Sequence, residues 1–200
     1  MDTFTAIEQR RSIKAFDPSH KMSDVELEKL VSATLLAPTA FNLQHWRFVL
    51  LEDMALREQV KAAAYGQSQV SDASAVFVLC GDLLAWQKEP LQYWVNASQP
   101  VQDYLGSAID GYYRGREQVQ RDEVMRSGGL AAQTMMLTAK AMGYDSCAMD
   151  GFDFDAVAKL INLPADHAIV MMIAVGEALS PANPRGGQLS LEKVLIKNTF

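Results

Sequence analysis

The sequence has few cysteines and few histidines, and the small number of each excludes one class of protein. Its two cysteines, Cys80 and Cys147, lie far apart in apolar stretches, which excludes a disulfide framework and a Cys-x-x-Cys redox pair. The three histidines, His20, His45 and His167, have no partner at a metal-ligand spacing. We therefore expect no metal site, and a reducing, cytoplasmic environment for the protein.

Several common sequence fingerprints are also missing. The chain has no Gly-x-Gly-x-x-Gly after a strand, no P-loop and no Gly-x-Ser-x-Gly, which excludes classical dehydrogenases, P-loop nucleoside triphosphatases and α/β-hydrolases. No window reaches about 18 consecutive apolar residues, and no charged leader precedes an apolar run, so neither a membrane span nor secretion is expected. The net charge of −6 makes a nucleic-acid or anionic-membrane partner unexpected.

The sequence does contain enough apolar residues to form a packed core. Of the 200 residues, 49% are hydrophobic, and a chain of this length is expected to form one domain, residues 1–200. The capping box Ser23-Asp24-Val25-Glu26 predicts the start of a helix. Apolar runs predict strands over 46–51, 75–80, 146–149 and 168–175. Helices between these strands give an α+β fold, a sheet of about four strands wrapped by helices.

The helical pattern over 122–141 predicts a long helix near the middle of the chain. Its residues look apolar or small on nearly every side, so we expect it to be buried on nearly every side. The pair Gly128-Gly129 is costly inside a helix, up to about 2 kcal/mol, and indicates a special close contact.

The first of four polar segments that carry candidate chemistry is Arg10-Arg11-Ser12-Ile13-Lys14. Three cations and a hydroxyl in five residues suit a monophosphate, because guanidinium groups donate paired, charge-assisted hydrogen bonds. A solvated basic turn is the alternative interpretation.

The second segment runs from Pro38 to Gln44, between a helix and a strand. Asn42 and Gln44 lie two residues apart, so an extended segment would present both side-chain amides on one side. Amide donors and acceptors suit a planar heterocycle as the ligand. An Asx-type turn before the strand is an equally good interpretation.

The third and fourth segments each stand next to a predicted strand. Gln67 and Gln69 offer alternating amides ahead of the strand at 75–80. Asp150 and Gly151 follow the strand at 146–149, where a glycine lets backbone N–H groups approach a ligand closely. The Asp150 side chain fits a turn or a helix cap as well as it fits a catalytic role.

Taken in order, the four segments resemble the flavin-dependent nitroreductase family over nearly the whole chain. Residues 10–16 match its Arg-Arg/His-Ser-x-Lys/Arg-x-Phe element. Residues 38–46 match its Pro-Ser/Thr-x-x-Asn-x-Gln-Pro-Trp element, except that His45 replaces the second proline. Residues 66–73 resemble its third element, and 149–153 resemble its loop at flavin N5. His45 is either a surface substitution or a titratable group near the site.

The resemblance implies a three-layer α+β fold with a mixed or antiparallel sheet of about four to five strands, in an intertwined homodimer. It further implies FMN at the subunit interface and NADH or NADPH as the electron donor. Nitroaromatic, quinone or related small acceptors would be reduced by ping-pong hydride transfer through flavin N5. A flavin-binding or flavin-sensing protein of the same fold, without catalysis, is the alternative.

The resemblance also implies a role for each site residue, and none of these residues is a nucleophile or a base. Arg10 and Ser12 would hold the FMN phosphate, Arg11 would lie against the ribityl chain or the ring, and Lys14 would sit near the N1/O2 edge. Pro38, Thr39, Ala40 and Asn42 would reach the flavin of the other subunit. Gln67 and Gln69 would address the pyrimidine edge, and the backbone N–H groups of Asp150 and Gly151 would face N5 and O4. Arg185 would be a second phosphate ligand.

Overall fold

The structure is a computed structural model, and it describes residues 1–200. Its helices are α1 (Thr3–Gln9), α2 (Asp24–Thr34), α3 (Met54–Ala63), α4 (Gln69–Asp72), α5 (Gln99–Tyr113), α6 (Glu117–Ala141), α7 (Phe154–Leu160) and α8 (Leu191–Val194). Its strands are β1 (Trp46–Leu50), β2 (Ala75–Asp82), β3 (Asp145–Met149) and β4 (His167–Gly176). Two short 3-10 turns cover Ala40–Asn42 and Pro90–Trp94. The predicted α+β class is confirmed.

The four strands form one antiparallel sheet in the order β1-β2-β4-β3. All eight residues of β2 are buried, as its continuous apolar run predicts for a central strand. Phe77 of β2 lies opposite Ile173 of β4, and the two central strands make the longest pairing in the sheet. The prediction of about four strands is confirmed.

Alternate side chains of the sheet pack against different helical layers. Val76 joins a buried cluster with Val60 of α3 and Val157 of α7. Its neighbour Phe77 points to the opposite face and packs in a cluster with Met135 of α6. Helices therefore cover both faces of the sheet, which gives the expected three layers.

The capping box at the start of α2 forms as predicted. The Ser23 hydroxyl accepts a hydrogen bond from the Glu26 N–H at 3.4 Å, and the Glu26 carboxylate accepts one from the Ser23 N–H at 2.9 Å. Two N–H groups that the helix itself cannot satisfy are thereby paired. The helix ends at Thr34, a few residues before Pro38 and the second polar segment.

The long helix α6 packs closely on the sheet with one face only. A Cβ at Gly128 would lie 2.6 Å from Val170 of β4, so the glycine permits the close contact that the Gly-Gly pair indicates. Gly129 has no neighbouring atom within 4 Å, and Leu130 is 47% exposed. The expectation that α6 is buried on nearly every side is wrong for the protomer, because only the part of the helix that packs against the sheet and the neighbouring helices is covered.

Candidate functional site

The basic segment after α1 lies beside the edge strand β3. The N–H of Ile13 donates to the carbonyl of Ser146 at 3.0 Å, and Ser12 pairs with Ser146 in parallel orientation. This pairing fixes the backbone of the segment, so the arginines before it are held at a defined place on the sheet edge.

The segment forms one wall of a cleft of ≈ 380 Å³. Its lining residues are polar, glycine or proline: Arg10, Arg11, Ser12, Asn183, Pro184, Arg185, Gly186, Gly187 and Gln188. No acidic side chain lines the cleft, although acidic residues outnumber basic ones in the sequence. Three guanidinium groups and a hydroxyl are a donor set that fits a phosphate group.

Arg185 is brought to this cleft from far along the sequence. Its guanidinium donates to the carbonyls of Glu8 and Arg10, at 2.7 and 3.3 Å. The Arg11 guanidinium donates in the opposite direction, to the carbonyl of Asn183. These bonds hold the C-terminal segment against the N-terminal one, so the structure brings Arg10, Ser12 and Arg185 together as the resemblance implies.

Lys14 lies further along the same segment, next to β3. Its side chain is exposed, and its Nζ atom is 3.6 Å from the sulfur of Cys147, which is fully buried. The Cys147 thiol in turn donates to the carbonyl of Ala148. The Lys14 ammonium is therefore held over the strand that leads to Asp150.

The third and fourth polar segments meet in the structure. The side-chain amide of Gln67 donates to the carbonyl of Gly151 at 2.9 Å, and both Asp150 and Gly151 are exposed. Gln69 lies in α4 and is only 4% exposed, so it offers less of its amide to solvent than Gln67 does.

Asp150 does not cap a helix. Asp153 caps α7 by accepting from the N–H of Ala156 at 2.9 Å, while the carbonyl of Asp150 accepts from the N–H of Phe152 in a turn. The helix-cap interpretation of Asp150 is therefore wrong, because the helix begins three residues later than that interpretation needs.

The loop from Pro38 to Gln44 is held by Thr39 rather than by an Asx turn. The Thr39 hydroxyl accepts from the Gln44 N–H at 3.0 Å, whereas the Asn42 side-chain oxygen contacts only the Gln44 amide, at 3.5 Å. The Asx-type turn at Asn42 is thus not formed. Asn42 is exposed, which leaves its amide free to meet a ligand.

His45, which ends this loop, is buried and 1% exposed, so its interpretation as a surface substitution is wrong. Its Nδ1 atom lies 3.2 Å from the Ser127 hydroxyl and its Nε2 atom 3.5 Å from the Tyr113 hydroxyl. Burial lowers the pKa of His45 to about 4, although the nearby Glu123 and Asp82 carboxylates oppose that shift. His45 has this placement because it immediately precedes the first residue of β1. The residues that contact its ring lie on α5 and α6, and no pattern in the sequence indicates these contacts.

The sequence also gave no signal for a cluster of charged groups at the ends of β2 and β4. Ligand-type atoms of Asp82, Asp166 and His167 lie within 4.8 Å of one another. The Lys88 ammonium bonds both carboxylates, at 2.8 Å to Asp82 and 2.6 Å to Asp166, and with His167 it lowers the pKa of Asp166 to about 2. Lys88 therefore supplies one positive charge that the two carboxylates share.

A larger cleft of ≈ 460 Å³ lies between α6, α7 and β4, with Phe154, Ile169 and Val170 in its lining. None of the site residues predicted from the sequence lines it. Among the helices, none combines the length and the apolar character needed to cross a bilayer.

The fold and the cleft together define a class: three-layer α+β proteins with a basic cleft at the edge of an antiparallel sheet. The particular family follows from comparison with known proteins. The sequence model of the nitroreductase family matches residues 7–177, and the chain belongs to this family. The resemblance seen in the sequence is confirmed.

Individual relatives agree with this assignment over nearly their whole length. Protein DrgA of Synechocystis sp. is 48% identical over 200 residues, which cover 98% of this chain and 95% of that protein. MhqN of Bacillus subtilis, named as an NAD(P)H nitroreductase, is 36% identical over 187 residues, or 90% of this chain and 91% of that one. A nitroreductase from Exiguobacterium sibiricum, crystallised in complex with FMN, is 26% identical, with a TM-score of 0.88 over 98% of this chain and 97% of the other.

Proposed function

We propose that this protein is an FMN-dependent NAD(P)H oxidoreductase that reduces nitroaromatic, quinone or related small acceptors. The observation that carries the proposal is the cleft that joins Arg10, Arg11, Ser12 and Arg185 without an acidic side chain, in a protein of net charge −6. The FMN in the Exiguobacterium sibiricum structure and the name of the Bacillus subtilis relative support the cofactor and the electron donor.

In this proposal the cleft holds the phosphate of FMN. Arg10 and Arg185 are the guanidinium ligands, Ser12 adds a neutral donor, and Arg11 lies against the ribityl chain or the ring. Arg185 keeps its bonds to two backbone carbonyls, so its side chain is already oriented before a ligand arrives. Such preorganisation reduces the side-chain entropy that binding would otherwise cost.

The residues along β3 and α4 orient the ring. When bound, FMN supplies the redox chemistry, taking a hydride at N5 from NADH or NADPH and passing reducing equivalents to the acceptor. Lys14 places a cation at the N1/O2 edge, where it stabilises negative charge. Gln67 and Gln69 address the pyrimidine edge, and the backbone N–H groups of Asp150 and Gly151 face N5 and O4. The bond from Gln67 to Gly151 supports this arrangement, because it joins two of the implied contacts.

A homodimer completes the site. The loop residues Pro38, Thr39, Ala40 and Asn42, which are exposed or partly exposed in the protomer, reach the flavin of the partner subunit. Large apolar side chains that lie exposed in the protomer support an interface between copies: Phe4 and Ile7 on α1, Leu36 after α2, and Leu130 on α6. Each copy contributes one FMN-binding domain, residues 1–200. Both cysteines are free thiols, which supports a cytoplasmic location.

An anaerobic titration of the purified protein tests this function. The protein loaded with FMN should show the yellow flavin spectrum, bleach on addition of NADH or NADPH, and regain its colour when a quinone or nitroarene is added. Colour without bleaching would support the binding protein without catalysis. A colourless protein that cannot be loaded with FMN would contradict both functions.

A further inference from the structure

The loop that carries Asn42 has an unfavourable backbone conformation. Phe41 and Asn42 have φ angles of 53° and 54°, in the left-handed region that asparagine visits but that a bulky residue such as Phe41 rarely adopts. Such residues persist when surrounding structure holds them in place. Two backbone hydrogen bonds form within the loop. The Asn42 N–H donates to the carbonyl of Thr39, and the Leu43 N–H donates to the carbonyl of Ala40.

One hydrogen bond reaches this pair from outside the loop. The indole N–H of Trp94 donates to the carbonyl of Phe41 at 3.1 Å, across 53 positions of sequence. Trp94 ends the short 3-10 turn Pro90–Trp94 and is partly buried. The Phe41 ring adds edge-on contacts with Tyr112 and Tyr113 of α5, at centroid distances of 5.7 and 6.2 Å. The indole bond is the directional contact among these, because it fixes the orientation of the Phe41 peptide group.

We propose that Trp94 is a positioning residue for FMN, which acts by holding the Phe41–Asn42 turn in its left-handed conformation. The inference rests on the proposed function, in which this turn presents Asn42 to the flavin of the partner subunit. Without the indole bond, the turn relaxes toward ordinary backbone geometry, and the Asn42 amide moves away from its contact. Trp94 belongs to none of the four polar segments and does not itself touch FMN in this account.

The chain offers a matched control for this role. Trp86 is 5% exposed, its indole N–H has no acceptor, and its ring stacks on Tyr113, so it belongs to the same aromatic cluster. Trp94→Phe and Trp86→Phe each remove one indole N–H and the same number of ring atoms. Only the first removes a hydrogen bond to the loop.

Two measurements compare these variants. In the apoprotein, hydrogen exchange at the Asn42, Leu43 and Gln44 amides should be about 5- to 10-fold faster in Trp94→Phe and unchanged in Trp86→Phe, as the loss of one hydrogen bond predicts. The Kd for FMN should rise by about 5- to 10-fold in Trp94→Phe alone. Replacement of Trp94 by benzothienylalanine keeps the bicyclic ring and exchanges the N–H for sulfur, so it repeats the test if the phenylalanine variant does not fold.

The outcomes separate this inference from the proposed function. Equal exchange rates in the two variants would overturn it, and so would faster exchange in Trp94→Phe with an unchanged Kd for FMN. In either case the proposed function stands if Arg10→Ala still weakens FMN binding. A wild-type protein that binds no FMN overturns the proposed function and the inference together.

Discussion

The basic cleft and the Phe41 loop, two parts of one candidate site, are stabilised in opposite ways. Arginines that are exposed or partly exposed line the cleft with exposed glycines, and hydrogen bonds between its two chain segments hold it together. The loop depends on buried or partly buried groups: His45 at its end, and Tyr113 and Trp94, which lie far away in sequence. Charge therefore defines the cleft and packing defines the loop, so different perturbations should affect each of them.

Acid should affect the loop more than the cleft, and this is the largest expected effect. In the folded protein, burial holds the pKa of His45 at about 4, against 6.5 in its absence. Unfolding therefore takes up a proton as the pH falls through 6.5, and the free energy of unfolding decreases toward pH 4. The loss due to His45 should reach on the order of 3 kcal/mol at pH 4. Urea unfolding at a series of pH values measures it.

A variant isolates the histidine from the carboxylates that also titrate in acid. His45→Gln keeps a hydrogen-bonding side chain without a titratable group, so its free energy of unfolding should depend less on pH between 6.5 and 4. The lining of the cleft contains neither a carboxylate nor an imidazole. Equal pH dependence in wild type and His45→Gln would show that the loop side is not the acid-sensitive part.

Removal of one arginine should affect the cleft more than the rest of the protein. Arg10→Ala should weaken FMN retention by about 1.5 to 3 kcal/mol, the usual contribution of a hydrogen bond to a charged group. Its free energy of unfolding should change little, because the Arg10 side chain has no hydrogen bond or ion pair in the protein. Isothermal titration with FMN and urea unfolding measure the two quantities, and an unchanged FMN affinity would reject the phosphate assignment.

A neutral donor in the same cleft should contribute less. Ser12→Ala should weaken FMN binding by about 0.5 to 1.5 kcal/mol, as expected for a neutral hydrogen bond. Added salt should reduce the effect of Arg10→Ala, because salt screens charges that are partly exposed to solvent, and should leave the effect of Ser12→Ala nearly constant. FMN titrations of both variants at low and high salt measure this. If Ser12→Ala and Arg10→Ala lost the same amount of FMN affinity, the distinction between charged and neutral ligands would be wrong.

The sequence predicted those features whose cause is local. The capping box at Ser23 and the buried run at 75–80 depend on neighbouring residues, and both formed as expected. The cluster at residues 10–14 was visible because its charges are adjacent in sequence. Only the family resemblance indicates Arg185 as a site residue, because its hydrogen-bond partners Glu8 and Arg10 lie at the other end of the chain.

The sequence could not predict features that depend on tertiary packing. His45 looked as suitable for the surface as for the site, because Ser127 and Tyr113 meet it only when α5 and α6 fold over β1. The hydrogen bond of Trp94 to Phe41 likewise joins segments that no local pattern connects. Long-range packing, rather than residue type, decides the environment of each of these groups.

A crystal structure of the protein loaded with FMN would show whether the phosphate lies in the basic cleft. We expect phosphate oxygens within roughly 2.7–3.2 Å of guanidinium nitrogens of both Arg10 and Arg185 in one protomer. We also expect the loop carrying Asn42 in the partner to contact the flavin ring. A phosphate bound outside this cleft, or FMN bound entirely within one protomer, would contradict these expectations.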